Sequence, residues 1–281
     1  MINYGGIDPE YSSESSSSIV IIPVPYDGTS TWMKGADKGP EAILEASGNM
    51  ELYDIETDSE IYRSGIYTAE AVKEKTSPEK MAGAVFEKVS GFLEKGKFPV
   101  VIGGEHSVTI GSIQAFAEHY PGLSVLQLDA HSDLRNEYQG SGNNHACVMA
   151  RAREVATVVQ VGIRSFDKEE LSDLDMARVF FAHQIHNNND WMDEATEMLS
   201  DNVYITIDLD VFDPSIMPST GTPEPGGMGW YQSLSFLEKV ISRKNMVGFD
   251  VVELCPLPSN KAPDFMAAKL IYKLLSMKFK K

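Results

Sequence analysis

The chain predicts a single α/β domain of three layers (αβα) built on a mostly parallel sheet. Three features carry that expectation. Short runs rich in Val and Ile are apolar at nearly every position, as strands buried on both faces must be. Between them lie stretches with apolar residues every three to four positions, the spacing of an amphipathic helix. No Pro/Gly/Ser-rich linker interrupts the pattern after residue 18.

In chain order, residues 12–18 (Ser-Ser-Glu-Ser-Ser-Ser-Ser) are low in complexity and predict a flexible N-terminal arm over 1–18, ahead of one domain over 19–281. Strands are expected at 19–23, 99–102, 123–128, 157–162, 178–181, 203–207 and 246–252. Helices are expected at 40–46, at 78–93 through Met81, Val85, Val89 and Phe92 or Leu93, and at 234–241. Strands alternating with helices imply βαβ units and a doubly wound sheet, whose ligand site lies beyond the C-terminal strand ends.

Composition narrows the partners. Lys and Arg total 24 against 41 Asp and Glu, a net charge of −17. Such a chain repels nucleic acid and anionic membranes and attracts a cationic substrate. No apolar run approaches the ~20 residues of a membrane-spanning helix, and the first residues lack a basic patch and apolar core, so a cytoplasmic protein is expected. Cys147 and Cys255 lie far apart and predict reduced core thiols.

The polar residues that follow the apolar runs carry the chemistry. The run 123–128 leads into Asp129-Ala130-His131-Ser132-Asp133, and persistence of strand geometry would put Asp129, His131 and Asp133 on one side. The run 203–207 leads into Asp208-Leu209-Asp210, and 99–102 into Gly103-Gly104-Glu105-His106-Ser107. Any one motif alone is weak. Together they gather carboxylates and imidazoles that would repel one another or stay unsatisfied without a cation. Four Asp and two His, with no thiolate, form a hard donor set that favours Mn²⁺ or a similar ion over a structural Zn²⁺ site. Six ligands suit two ions better than one catalytic ion with an open position.

With these residues the chain resembles the ureohydrolases, the arginase and agmatinase family. The matching pieces are the segments 103–107, 129–133 and 208–215, His145 within Asn144-His145-Ala146-Cys147, the stretch 219–227, Val251-Val252-Glu253-Leu254, and an N-terminal stretch over 25–43. They span roughly residues 20 to 260 in order. The resemblance implies an arginase-like fold and a binuclear manganese site, two Mn²⁺ per chain. One ion would be held by His106 and Asp133 and the other by His131 and Asp210, with Asp129 and Asp208 bridging. A hydroxide shared by the ions would add to the guanidino carbon. Glu253 would pair with the guanidinium nitrogens, Asp133 would relay the proton, and His145 would deliver it to the departing amine. His119, His183 and His186 are expected in surface or capping positions, and the three tryptophans carry no assignment.

Substrate choice is less sharp. The position where similar arginases carry an Asn that grips the amino-acid carboxylate is Arg135 here, and the His145-Ala146-Cys147 form is most like archaeal-type agmatinase. The expectation is hydrolysis of agmatine to putrescine and urea, within polyamine synthesis. Asp167 would take the distal ammonium, with Glu137 and Glu224 as alternatives. N1-aminopropylagmatine, guanidinobutyrate and arginine stay open, the latter two through Arg135; formiminoglutamate is more remote. A single-Zn deacetylase-like hydrolase or a non-catalytic relative would lack part of the six-residue set. By analogy with related enzymes, a homo-oligomer (trimer or hexamer) is expected.

Overall fold

The computed structural model describes residues 2–186 and 188–280; the expected outer bounds at positions 1 and 281 lie outside them. The strands are β1 (Ile19–Val24), β2 (Ile66–Thr68), β3 (Phe98–Gly103), β4 (Ser124–Leu128), β5 (Thr157–Ile163), β6 (Val179–Phe181), β7 (Asn202–Asp208) and β8 (Asn245–Val252). They form one sheet in the order β2-β1-β3-β8-β7-β4-β5-β6, with every paired neighbour parallel. The α-helices are α1 (Pro9–Ser12), α2 (Gly39–Ser47), α3 (Pro78–Leu93), α4 (Val108–His119), α5 (Val148–Ala152), α6 (Ala182–Ile185), α7 (Trp191–Glu197), α8 (Trp230–Arg243) and α9 (Ala262–Phe279).

The unbroken apolarity of the strands has a direct cause. In β1, Ile19 and Ile21 enter one core layer and Val20 and Ile22 the other, so both faces need apolar side chains. Helices α3, α4 and α5 cover one face; α2, α7, α8 and α9 cover the opposite one. Helix α3 starts where the sequence predicts, with the Ser77 side chain accepting from Lys80 N and a proline in the first turn.

Helices α1 and α4 to α7 lie outside the expected set, and three further features differ from expectation. Strand β2 is a three-residue edge, too short to show a pattern. Helix α9 is buried around most of its girth, so no single apolar stripe marks it. The N-terminal segment is not a free arm. Tyr4 is fully buried, its hydroxyl donates to Ala268 O at 2.7 Å, and its amide donates to Thr68 Oγ1 at 2.9 Å. One aromatic anchor therefore fixes residues whose neighbours look like linker. Both cysteines are free and buried, and no described helix is long and apolar enough to cross a membrane.

The topology sets the site. Strands β3, β8, β7 and β4 are consecutive neighbours at mid-sheet. Helix α4 leaves β3 over one face, while α9 leaves β8 over the other. The loops at the C-terminal ends of these strands thus diverge and open a crevice, as at other switch points in wound sheets.

Candidate functional site

The four central strands each deliver residues to this crevice. After β3, the chain passes against the backbone of Tyr26 so closely that a Cβ on Gly104 would lie 1.9 Å from Tyr26 O. That approach needs glycine, and it sets His106 facing the ends of β4 and β7. After β4, strand geometry does not persist through the 129–133 motif. Asp129 Oδ1 accepts from His131 N at 2.5 Å, and Asp133 adopts a left-handed backbone with φ 52°. After β7, Asp210 lies in a short 3₁₀ turn over Leu209–Val211, and Asp208 Oδ1 accepts from Asp210 N at 2.9 Å. The residues expected together do meet, but through tight turns instead of strand alternation. Glu253, beyond β8, also has positive φ, 66°. Such strain persists only where surrounding contacts over-determine it. Here Glu253 N donates to Gly104 O and His106 N donates to Glu253 Oε1, at 2.8 and 2.7 Å.

Two groups of ligand atoms form, each with all atoms within 4.8 Å: His106, Asp129 and Asp208 in one, and Asp129, His131 and Asp210 in the other. Asp129 is common to both. His106 Nδ1 lies 2.9 Å from Asp133 Oδ2, 3.1 Å from Asp129 Oδ2 and 3.5 Å from Asp208 Oδ2. It is buried with no hydrogen-bond partner. His131 Nδ1 lies 2.9 Å from Asp210 Oδ2. An orphaned imidazole nitrogen facing three carboxylates is what a cation site requires, and the oxygen-rich donor set fits a hard divalent ion.

The electrostatics agree. Burial, together with the charges of Asp210, Asp129 and Glu253, pushes Asp208 well above the usual carboxylate range. Burial and the Asp129 charge push Asp133 up to about 7. Asp129 goes the other way: the adjacent His106 and His131 imidazoles outweigh its burial and hold it low. Glu253 rises through burial and the charge of Glu105, itself fully buried. A raised carboxylate stabilises the fold at low pH and loses that contribution as pH rises through its folded pKa. In metal-stripped protein, Asp208→Asn is therefore expected to raise Tm at pH 8 and to change it less at pH 5. Roughly 1 kcal/mol corresponds to about 2–4 °C in a chain of this size. Calorimetry at both pH values checks it; a lower Tm for the variant at pH 8 contradicts the electrostatic reading.

His145 lines the same cleft. Its Nδ1 lies 3.0 Å from Thr29 Oγ1, which also accepts the His145 amide at 3.0 Å. Burial and the positive charges of His106 and His131 push it down to about 4. Arg135 also lines the cleft but is engaged. Its Nε lies 3.2 Å from Glu170 Oε1, its Nη2 3.5 Å from Asp167 Oδ2, and its guanidinium stacks 4.3 Å from the centre of the Tyr138 ring. Asp167 is half exposed at the rim and caps a short turn by accepting from Glu169 N. Glu224 Oε1 approaches His131 Nε2 at 3.9 Å, though neither Glu224 nor Glu137 lines the cleft itself.

Several residues escape sequence reasoning. Glu170 is buried and accepts from Arg135 Nε, Asp167 N, Leu134 N and the Ser132 hydroxyl, so it ties the 132–135 loop to the 167–170 turn. Its spacing from Asp167, D-x-x-E, is a capping box and was the available signal. Trp32, 70% exposed at the cleft mouth, and Thr29 had none, because they reach the site only through folding.

Comparison with known proteins agrees with this architecture. The sequence model of the arginase family matches residues 17–276. An N(1)-aminopropylagmatine ureohydrolase of Synechocystis sp. is 39% identical, covering 94% of this chain and 90% of its own. An agmatinase of Pyrococcus horikoshii is 35% identical, over 92% of this chain and 91% of its own. The crystal structure of agmatine ureohydrolase of Thermoplasma volcanium superposes with a TM-score of 0.89 at 30% identity, covering 100% of this chain and 95% of that one. With its eight-stranded parallel sheet and a matched span reaching nearly from end to end, this chain belongs to the arginase family.

Proposed function

We propose that this arginase-family enzyme hydrolyses the guanidino group of an amine-tailed substrate, agmatine first, to urea and an amine, using two Mn²⁺ per chain. The observation that carries the reading is the pair of ligand groups sharing Asp129, with Glu253 beside them in one acid-lined cleft. His106, Asp129, His131, Asp133, Asp208 and Asp210 would hold the ions. When bound, the ions supply Lewis acidity, which keeps solvent deprotonated near neutral pH.

The chain's own residues do the rest. Glu253 and Glu105 are neighbouring buried acids, and a guanidinium is the cation that relieves them. Glu253 would bind its planar fork and orient the carbon toward the cluster. Asp133, which lines the cleft beside the cluster, would accept a proton during the reaction. His145 is neutral at pH 7, so it would take a proton in transit and pass it to the leaving amine. The Thr29 hydroxyl can donate to His145 Nδ1 and leave the ring proton on Nε2.

The tail preference follows from Arg135. A substrate carboxylate would have to displace Glu170, Asp167 and the Tyr138 face, which disfavours arginine and guanidinobutyrate. Asp167 is our candidate for the distal ammonium. Asp167→Ala is expected to raise KM for agmatine by about 2–5-fold with kcat kept, the scale of an exposed ion pair; an unchanged KM removes the assignment.

A second reading has its own support. Relatives at 39% identity bear the name N(1)-aminopropylagmatine ureohydrolase, and the exposed face of Trp32 at the mouth offers a further cation a place. The deciding experiment strips the protein of metal, restores Mn²⁺ and measures urea from agmatine, N1-aminopropylagmatine, guanidinobutyrate and arginine. Mn²⁺-dependent urea from agmatine above the others supports the first reading. A higher kcat/KM for the aminopropyl derivative selects the second, and no urea from any of them overturns both. We further propose a cytoplasmic homo-oligomer, a trimer or hexamer, which light scattering of the purified chain checks.

A further inference from the structure

A buried polar row crosses the sheet beneath the ligand cluster. Strand register pairs Asp250 of β8 with Thr206 of β7, Thr206 with Gln127 of β4, and Gln127 with Gln160 of β5. Four adjacent strands thus each place one polar side chain on a single line. Their flanking residues on the same face, such as Tyr204, Val125 and Val252, belong to the core layer under α3, α4 and α5. All four are buried. Polar groups at that depth weaken a fold unless each is hydrogen-bonded, and apolar residues fill the opposite face of the same strands.

The hydrogen bonds in the row have a direction. Tyr204 OH donates to Asp250 Oδ2 at 2.6 Å, and Thr206 Oγ1 donates to Asp250 Oδ1 at 2.7 Å. A carboxylate only accepts, so the single Thr206 hydroxyl proton is committed to Asp250. The Thr206 oxygen is left as an acceptor, and His106 Nε2 lies 2.9 Å from it. With a cation in the cluster, the remaining ring proton of His106 would sit on Nε2, bonded to Thr206, and the Nδ1 lone pair would face Asp129, Asp133 and Asp208. On the other side, Gln160 Nε2 donates to Gln127 Oε1 at 2.6 Å, and Gln127 Nε2 donates to Asp129 Oδ2 at 2.7 Å. Both halves of the row end on the cluster.

We propose that Asp250, acting through Thr206, is a positioning residue that fixes His106 in the Nε2–H tautomer and so presents Nδ1 to a divalent cation. The inference rests on the metal-site reading of the cluster. A purely structural row would satisfy its own polar groups without setting a ligand's tautomer, and the two cases differ in metal affinity.

The test is calorimetric titration of metal-stripped protein with Mn²⁺, for the wild-type chain and for Thr206→Val, Thr206→Ser and Asp250→Asn. Thr206→Val keeps shape and removes the hydroxyl. It is expected to weaken one of two Mn²⁺ equivalents by ~10–100-fold, the scale of losing a partner behind a ligating histidine, and to leave the other within about 3-fold. Thr206→Ser, which restores the hydroxyl, is expected to recover wild-type affinity. If Thr206→Val fails to fold, Asp250→Asn carries the test, since it removes the charge and leaves the volume; weakening of the same single equivalent is expected. Two wild-type-like Mn²⁺ equivalents in Thr206→Val, or in Asp250→Asn where that variant carries the test, overturn the inference alone, as does a serine variant as weak as the valine. A wild-type chain that takes up no Mn²⁺ overturns the metal-site reading and this inference with it.

Discussion

Asp129→Asn is expected to lower kcat by about 10³-fold or more and to cut bound Mn²⁺ from two to at most one per chain. Asp129 is the residue shared by both ligand groups, and it is fully buried. Its two oxygens already accept from His131 N and Gln127 Nε2. Asparagine fills the same space and can keep one of those bonds, but it brings no charge and turns one ligand atom into a donor. Both ions would therefore lose a ligand in a single substitution. Lewis-acid stabilisation is worth several kcal/mol, and each ~1.4 kcal/mol is tenfold in rate. Metal analysis beside steady-state kinetics checks the result. A variant that keeps two ions and more than a tenth of the activity would show that Asp129 is not the shared ligand.

Glu253→Gln should separate substrate binding from metal binding. It is expected to lower kcat/KM by roughly 30–3000-fold, from the ~2–5 kcal/mol cost of breaking a buried charge pair, with both Mn²⁺ retained. Glutamine can still accept from His106 N, so the backbone contact that anchors this strained residue survives. What changes is the other terminal atom, an amide donor set against guanidinium donors. Glu105 stays buried nearby, and in the wild type its charge sharpens the demand for a cation. Metal content and kcat/KM for agmatine are the two measurements. Loss of both ions together would move Glu253 from substrate binding to support of the cluster, and a change in kcat/KM below about 3-fold would remove it from the site.

How much of this could be read from the chain varies by residue. The Asp129–Asp133 and Asp208–Asp210 motifs were legible because they follow directly on apolar runs, and runs buried on both faces of a parallel sheet end at its ligand edge. Their local shape was not. The motifs alternate in sequence, yet Asp133 reaches His106 through a left-handed backbone and Asp210 reaches His131 from a 3₁₀ turn. Arg135 was open in sequence as a grip for a substrate carboxylate, and that use is disfavoured by Glu170, 35 residues further on. Tyr4 reversed the reading of the N-terminal segment in the same way, through a contact with Ala268.

The parallel sheet, its two faces, the order of the ligand-bearing loops and the hardness of the donor set follow from residue type and local spacing, since burial and coordination chemistry act at each position separately. Tertiary structure alone decided which groups meet. The sheet order brings β3 beside β8 and β4 beside β7, although the members of each pair are far apart in the chain. Only there can Thr206, the register partner of Asp250, turn toward His106, 100 residues away in sequence. Hydrogen-bond direction, tautomer and mutual pKa shifts depend on separations of about 3 Å, and distances on that scale are set by strand register and loop closure.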